Sequence, residues 1–320
     1  MDIRIENEKE NKGNNTFSII ENKRTKALLE EVMEVIFLIC AFFAILAVFS
    51  ITLYMILNGT PSLFKVGLKE ILFGTEWAPT AAEPKYGILY VILTSIVGTA
   101  CAVIIGVPIG VLTAVFIAEV APKKLAAIVK PAVELLAGIP SVIYGLLGIM
   151  LLNPVMYKLE MIIFKGSKTH QFTGGSNLIS AIIVLAIMIL PTVINISESA
   201  IRAVPKEMRS ASLALGASKI QTIFKVVLPV AKSGIISAIV LGVGRAIGEA
   251  MAITLVSGSS VNIPLPFNSV RFLTTAIVAE MGYAADQHRE VLFTIGLILF
   301  VFIMIVNTIF AKLLSGKEES

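Results

Sequence analysis

Two opposite charges stand four residues apart in an otherwise apolar stretch, GVGRAIGEAMAI (242–253), as Arg245 and Glu249. A charge near the middle of a membrane helix costs roughly 2.5–3.5 kcal/mol on insertion scales, so each needs compensation. On a continuous helix a spacing of four puts both on one face, one turn apart, where they pair. Gly242, Gly248 and Ala252 fall on or near the same stripe. Small residues allow a neighbouring helix to approach closely, so this face is expected to point to a protein interface or an aqueous path, away from lipid. Two readings are open on these grounds. The pair only fixes helix packing, or the arginine offers its forked donors to a passing oxyanion.

A second constellation runs from Pro205 to Pro229. Pro205 suits the first turn of a helix, KEMRSASLAL (206–215) continues it, and Gly216 ends it in a left-handed cap. Ser218 and Gln221 then have the spacing of a capping box, followed by Ile220, Ile223, Phe224 and Val227 at helical intervals. Two short helices meeting at a glycine corner are expected. Arg209, Ser210, Ser212, Lys219 and Gln221 share the segment with Leu213, Leu215 and Ile220. Such a mixed surface suits a protein contact, although a plain connector fits the local physics as well.

The elements that must carry both constellations are membrane helices. Hydrophobic residues make up 56% of the chain and charged residues 15%. That apolar share exceeds the share in an ordinary globular domain. Apolar runs longer than the roughly 20 residues of a membrane span are expected at 32–57, 87–118, 132–156, 178–199, 229–257 and 290–314. The first follows about thirty polar residues and is too long and too deep for a signal peptide. Residues 1–28, rich in Asn, Lys and Glu, are expected to form a disordered tail. One transmembrane domain follows over 29–315, then a short tail at 316–320. No second domain of any size and no fixed-period repeat is seen. With the amino terminus inside, the flanking segments place 17 Lys and Arg inside and 8 outside, which favours both termini in the cytoplasm. Segment 58–86 carries Trp77 and Tyr86 beside Pro79 and Pro84, as an interfacial aromatic anchor does.

Other chemistries find little support. The net charge of +4 is spread between apolar segments and forms no basic stripe, so nucleic acid is not an expected partner. Cys40 and Cys101 lie in apolar runs without metal-ligand spacing and read as small buried hydrophobes. His170 and His288 fall in separate polar loops, without an HExxH pattern, and no metal is expected. No nucleophile and base are paired as an enzyme's would be. No G-x-x-x-x-G-K-[ST] loop occurs, so the chain does not hold ATP phosphates in that manner.

The corner brings a resemblance into view. Ala211, Gly216, nine residues, then Val226-Val227-Leu228-Pro229 resembles the EAA loop of ABC importer permeases, which docks into a cleft of the ATPase subunit. Ser210 stands where that pattern has Glu and Ser212 where it has Ala, so the glutamate's role does not carry over. RAIGEAMA (245–252) resembles the motif in the equivalent helix of phosphate-specific ABC importer permeases, where the Arg and Glu are implicated in transport. AGIPSVIYGLLG (137–148) and TTAIVAEMGYAADQHREVLF (274–293) extend the likeness, and GTEWAP (74–79) looks more like the PstC-type subunit than its PstA-type partner.

The resemblance implies an all-α, polytopic type I ABC importer permease fold with about six spans. It implies a translocation path at Arg245 and Glu249, and ATPase docking at Arg209, Ser210, Ala211, Ser212, Gly216, Leu228 and Pro229. No cofactor is expected on this chain, ATP being hydrolysed by the partner. The implied partners are a related second permease, an ATPase dimer and an external phosphate-binding protein. Alternatives are an ABC permease for another oxyanion or solute, against which RAIGEAMA argues, and an ion-coupled secondary transporter, against which the Gly216 corner argues.

Overall fold

The computed structural model describes the backbone from Asp2 to Ser315 and side chains from Leu29 to Phe310, with Lys312. The expected tail at 316–320 lies outside the described residues. Helix α1 (Asp2–Ser62) opens the chain, with a π-type turn at Leu63–Gly67 and the short α2 (Leu68–Phe73) after it. The expected tail at 1–28 lies, in its side chains, outside the described residues.

The chain divides into two compact units, one ending at Leu57 and the other starting at Asn58. The first is a lone helix, apolar all round from Val35, and its side chains from Leu29 on are almost all exposed. Such a helix takes its burial from lipid or from another chain. Cys40, expected to be buried, is therefore exposed, and Cys101 in the second unit is half-buried.

In the second unit a two-stranded hairpin pairs β1 (Trp77–Ala78) with β2 (Lys85–Tyr86). Then come α3 (Leu89–Val115), α4 (Lys123–Gly138), α5 (Ser141–Leu147), α6 (Asn153–Ile163) and α7 (Leu178–Ala203). The short α8 (Lys206–Ala214), α9 (Lys219–Thr222) and α10 (Leu228–Val230) lead to α11 (Lys232–Gly248), α12 (Met251–Val256), α13 (Leu273–Glu280) and α14 (Asp286–Ser315). Spans long and apolar enough to cross a membrane are Leu29–Phe73, Leu89–Val120, Ser141–Ile163, Leu178–Ala203 and Asp286–Phe310. A sixth is broken: Lys219–Val230 and Lys232–Gly248 meet at 69°.

Two expected spans need correction. The run 132–156 does not form one helix, because Pro140 has no N–H to donate and holds Ile139 extended (ψ 127°). The span starts at Ser141 instead, and the preceding α4, with Lys123, Lys124, Lys130 and Glu134, is a separate amphipathic helix. The run 229–257 breaks at Glu249, whose ψ of 129° ends α11 before α12 begins.

Helix α7 is the centre of the unit and buries residues on most of its faces. In lipid there is no hydrophobic gain from pairing helices, so close packing at small residues does the work. A Cβ added at Gly106 or Gly110 of α3 would lie 2.7–2.8 Å from Ile189 or Val193 of α7. Gly242 of α11 meets Val193 in the same way, and Gly145 of α5 meets Ala252 of α12.

Segments 74–88, 164–177 and 257–285 gather at one end of the unit, the hairpin end. Leu178 donates its N–H to Asn268 O (3.1 Å) there. Segments 116–138 and 198–231 gather at the other, the corner end, where Lys130 and Arg202 both reach the buried Glu198.

Candidate functional site

The corner end forms as its residues dictate. Gly216 has φ +86°, its N–H bonds Leu213 O (3.0 Å), and the Ala217 N–H bonds Ser212 O (3.2 Å). This is a full Schellman motif, which satisfies two end carbonyls of α8. Ser218 and Gln221 close the capping box in both directions. Ser212 Oγ lies 2.9 Å from Thr222 Oγ1 and ties the two helices together. Leu215 is 89% exposed, and Leu213, Ile220, Phe224 and Met208 are exposed beside it. Ala114, Ile201, Ile223 and Val227 form the core beneath.

Of the residues expected at a docking site, Ser210, Ala211, Gly216 and Pro229 are exposed, and Ser212 and Leu228 are half-buried. Arg209 points inward. Its Nε and Nη2 donate to Glu119 (3.0 and 2.8 Å), Nη2 also to Ile201 O (2.8 Å), and Nη1 to Val204 O. It pins the corner to the membrane body and has few donors left for a partner. Leu228 and Pro229 stand at the 69° bend into α11.

Arg245 and Glu249 do not pair. Once α11 ends at Gly248, the four-residue spacing no longer stacks them on one face. Arg245, half-buried, donates from Nη1 to Thr192 Oγ1 of α7 (3.2 Å), with Tyr144 of α5 in electrostatic reach. Glu249 instead accepts the Ala252 N–H (3.0 Å), and its own carbonyl accepts from Thr274 Oγ1 (2.7 Å). The groups freed by the break are thus satisfied locally, as irregular backbone at membrane depth requires. The expected small-residue stripe splits as well. Gly242 is buried on α7 and Ala252 on α5, whereas Gly244 and Gly248 have open space beside them. What remains is one arginine without a carboxylate partner among the described residues, next to an open face of α11.

Sequence reasoning missed the buried carboxylates at the hairpin end. Glu280, 5% exposed, accepts from Trp77 Nε1 (3.1 Å to either oxygen) and Arg271 Nη1, and lies 2.7 Å from His288 Nε2. Glu160, fully buried, lies 2.8 Å from His170 Nε2 and accepts from the Thr173 N–H (2.9 Å) and hydroxyl (3.0 Å). The signal was available, since a lone carboxylate in an apolar neighbourhood must find donors. Trp77, expected as an interfacial anchor, turns its indole N–H inward, and His288 lies in the first turn of α14 and not in a loop. Tyr86 packs edge-on against Trp77 (6.1 Å), and burial holds its phenol above the ordinary tyrosine range.

Among the described residues, five continuous spans, a sixth broken one and an exposed two-helix corner at one end mark a multi-pass membrane protein. The chain belongs to the family described as binding-protein-dependent transport system inner membrane components, whose sequence profile matches residues 106–318. It is 37% identical over 298 residues to a Bacillus subtilis protein named as a probable ABC transporter permease, YqgH, covering 90% of this chain and 93% of that one. It is 34% identical to a Xylella fastidiosa protein named phosphate transport system permease protein PstC, over 86% of this chain and 88% of that one. Among solved structures, an inward-facing form of the MetNI methionine ABC transporter superposes with a TM-score of 0.50 at 21% identity. It covers 72% of this chain and 94% of that one, which establishes the type I importer permease fold.

Proposed function

We propose that this chain is the PstC-like permease subunit of an ATP-driven phosphate importer. The observation that carries the reading is the half-buried Arg245, held by Thr192 and free of any carboxylate among the described residues, in a chain 34% identical to a phosphate permease. An unneutralised guanidinium at membrane depth is costly, and a transient oxyanion offsets that cost while it passes. The open space beside Gly244 and Gly248 gives this arginine an accessible face. A related, PstA-like permease closes that face in the assembly.

The Gly216 corner docks a separate ATPase dimer through Leu213, Leu215 and Ile220, and that dimer hydrolyses the ATP. The corner end faces the cytoplasm with both termini, following the 17-to-8 Lys and Arg bias. The hairpin end receives an external phosphate-binding protein. The test is uptake by the purified complex in liposomes with internal ATP, offered phosphate, sulfate and molybdate at equal concentration. Phosphate alone should accumulate. Sulfate or molybdate accumulating in its place would refute the assignment and leave a permease of other cargo.

A further inference from the structure

We infer that Glu280 is a positioning residue, which joins the hairpin-end surface to the helix break at Glu249 through α13. The inference rests on the importer reading above and says how engagement of an external protein reaches the membrane path. The Glu280 carboxylate collects donors from three separate elements: Trp77 of the hairpin, Arg271 of the segment before α13, and His288 of α14. Arg271 in turn donates from Nε to Ser259 O (2.8 Å), so the loop after α12 belongs to the same cluster.

Glu280 sits at the carboxyl end of α13, where the helix dipole disfavours a negative charge. Its placement there is maintained by these partners and not by the helix itself. The other end of α13 is fixed just as specifically. Thr274 Oγ1 donates to Glu249 O (2.7 Å), and the Leu273 N–H donates to Ser95 Oγ of α3 (2.9 Å). The helix has 8 residues. At the α-helical rise it is about 12 Å long, too short to bend appreciably. One rigid element therefore has its first turn on the break that ends α11 and its last residue in the cluster beneath the hairpin.

That cluster is open to its surroundings. A cleft of about 610 Å³ lined by Glu76, Trp77, Pro79, Ser259 and Tyr283 reaches Glu280 from the surface. A protein seated on this end bears on Trp77 or Ser259, moves the donors of Glu280, and so shifts α13 against the Glu249 carbonyl. Coupling of this kind is carried by a packed element that both sites bias.

The experiment uses the assembled complex in liposomes and measures ATP hydrolysis with and without external binding protein loaded with inorganic phosphate. Glu280→Gln and Thr274→Val each should lower the stimulated rate at least about fivefold, the low end of ordinary coupling, and leave the unstimulated rate within about twofold. The double variant should be no worse than either single one, because both cut the same link. Equal loss of stimulated and unstimulated rates, failure of both variants to assemble, wild-type stimulation, or multiplied effects in the double variant would each overturn the inference. An unmodified complex that phosphate-loaded binding protein does not stimulate would count against the importer reading itself, independently of the variants.

Discussion

Gly216→Val tests whether the corner is a shaped docking device or a connector. Gly216 has φ +86°, and a Cβ built there meets nothing within 4 Å. A β-carbon there therefore creates no clash, and the main cost is backbone strain. A non-glycine residue held in the left-handed region costs of order 1–3 kcal/mol, with a β-branched side chain at the upper end. The chain relieves that strain by opening the Schellman turn, which gives up the bonds from Gly216 N–H to Leu213 O and from Ala217 N–H to Ser212 O. Opening the turn moves Leu215 and Ile220 apart. If docking needs the closed corner, affinity falls with its population, and about 1–3 kcal/mol corresponds to about 5-fold to 150-fold. The assay is equilibrium binding of the purified ATPase to the permease in nanodiscs, with Gly216→Asn as a control because Asn tolerates this conformation. Wild-type affinity for the valine variant, in a protein that inserts normally, would refute the reasoning and make the corner a connector.

Arg209→Gln should lower thermal stability by about 3 kcal/mol, the low end for breaking a buried pair, because both side chains keep some exposure. Adding Glu119→Gln should recover part of that loss, and no recovery would mean the pair is not the cause. No ion pair joins Arg245 to Glu249. The double Gln variant should therefore be no more stable than the less stable single variant, because no pairing is recovered. Restored stability in the double variant would show that they pair in the membrane after all. A reporter inserted near Lys206 and another after Ser320 should both read cytoplasm, and an external signal at either site would invert the assignment of the corner end.

Local signals were the legible part of this chain. The Gly216 corner and the Ser218–Gln221 box depend on residues within a few positions of each other, and the structure forms both as the sequence indicates. The spans at 87–118 and 178–199 also hold to within a few residues, because apolar length alone decides them. The break at Ile139–Pro140 was readable from the proline but lay hidden in an otherwise continuous apolar run. The break at Glu249 has no such mark. Its satisfaction comes from Thr274, 25 positions along the chain, and from a glutamate side chain that looked committed to Arg245. The Glu280 cluster joins residues as far apart as Trp77 and His288, and only the folded packing brings them together.

The central claim is that Arg245 serves the passing anion and not the packing of α11. ATP-dependent uptake of labelled phosphate by the Arg245→Gln complex, measured beside the yield of assembled complex, tests it most directly. The variant should assemble at wild-type yield, since only the Thr192 bond is lost. A single hydrogen bond from a charged group of that kind contributes about 1.5–3 kcal/mol net. Its phosphate uptake should fall to background. Near-normal uptake by a well-assembled Arg245→Gln complex would contradict the account.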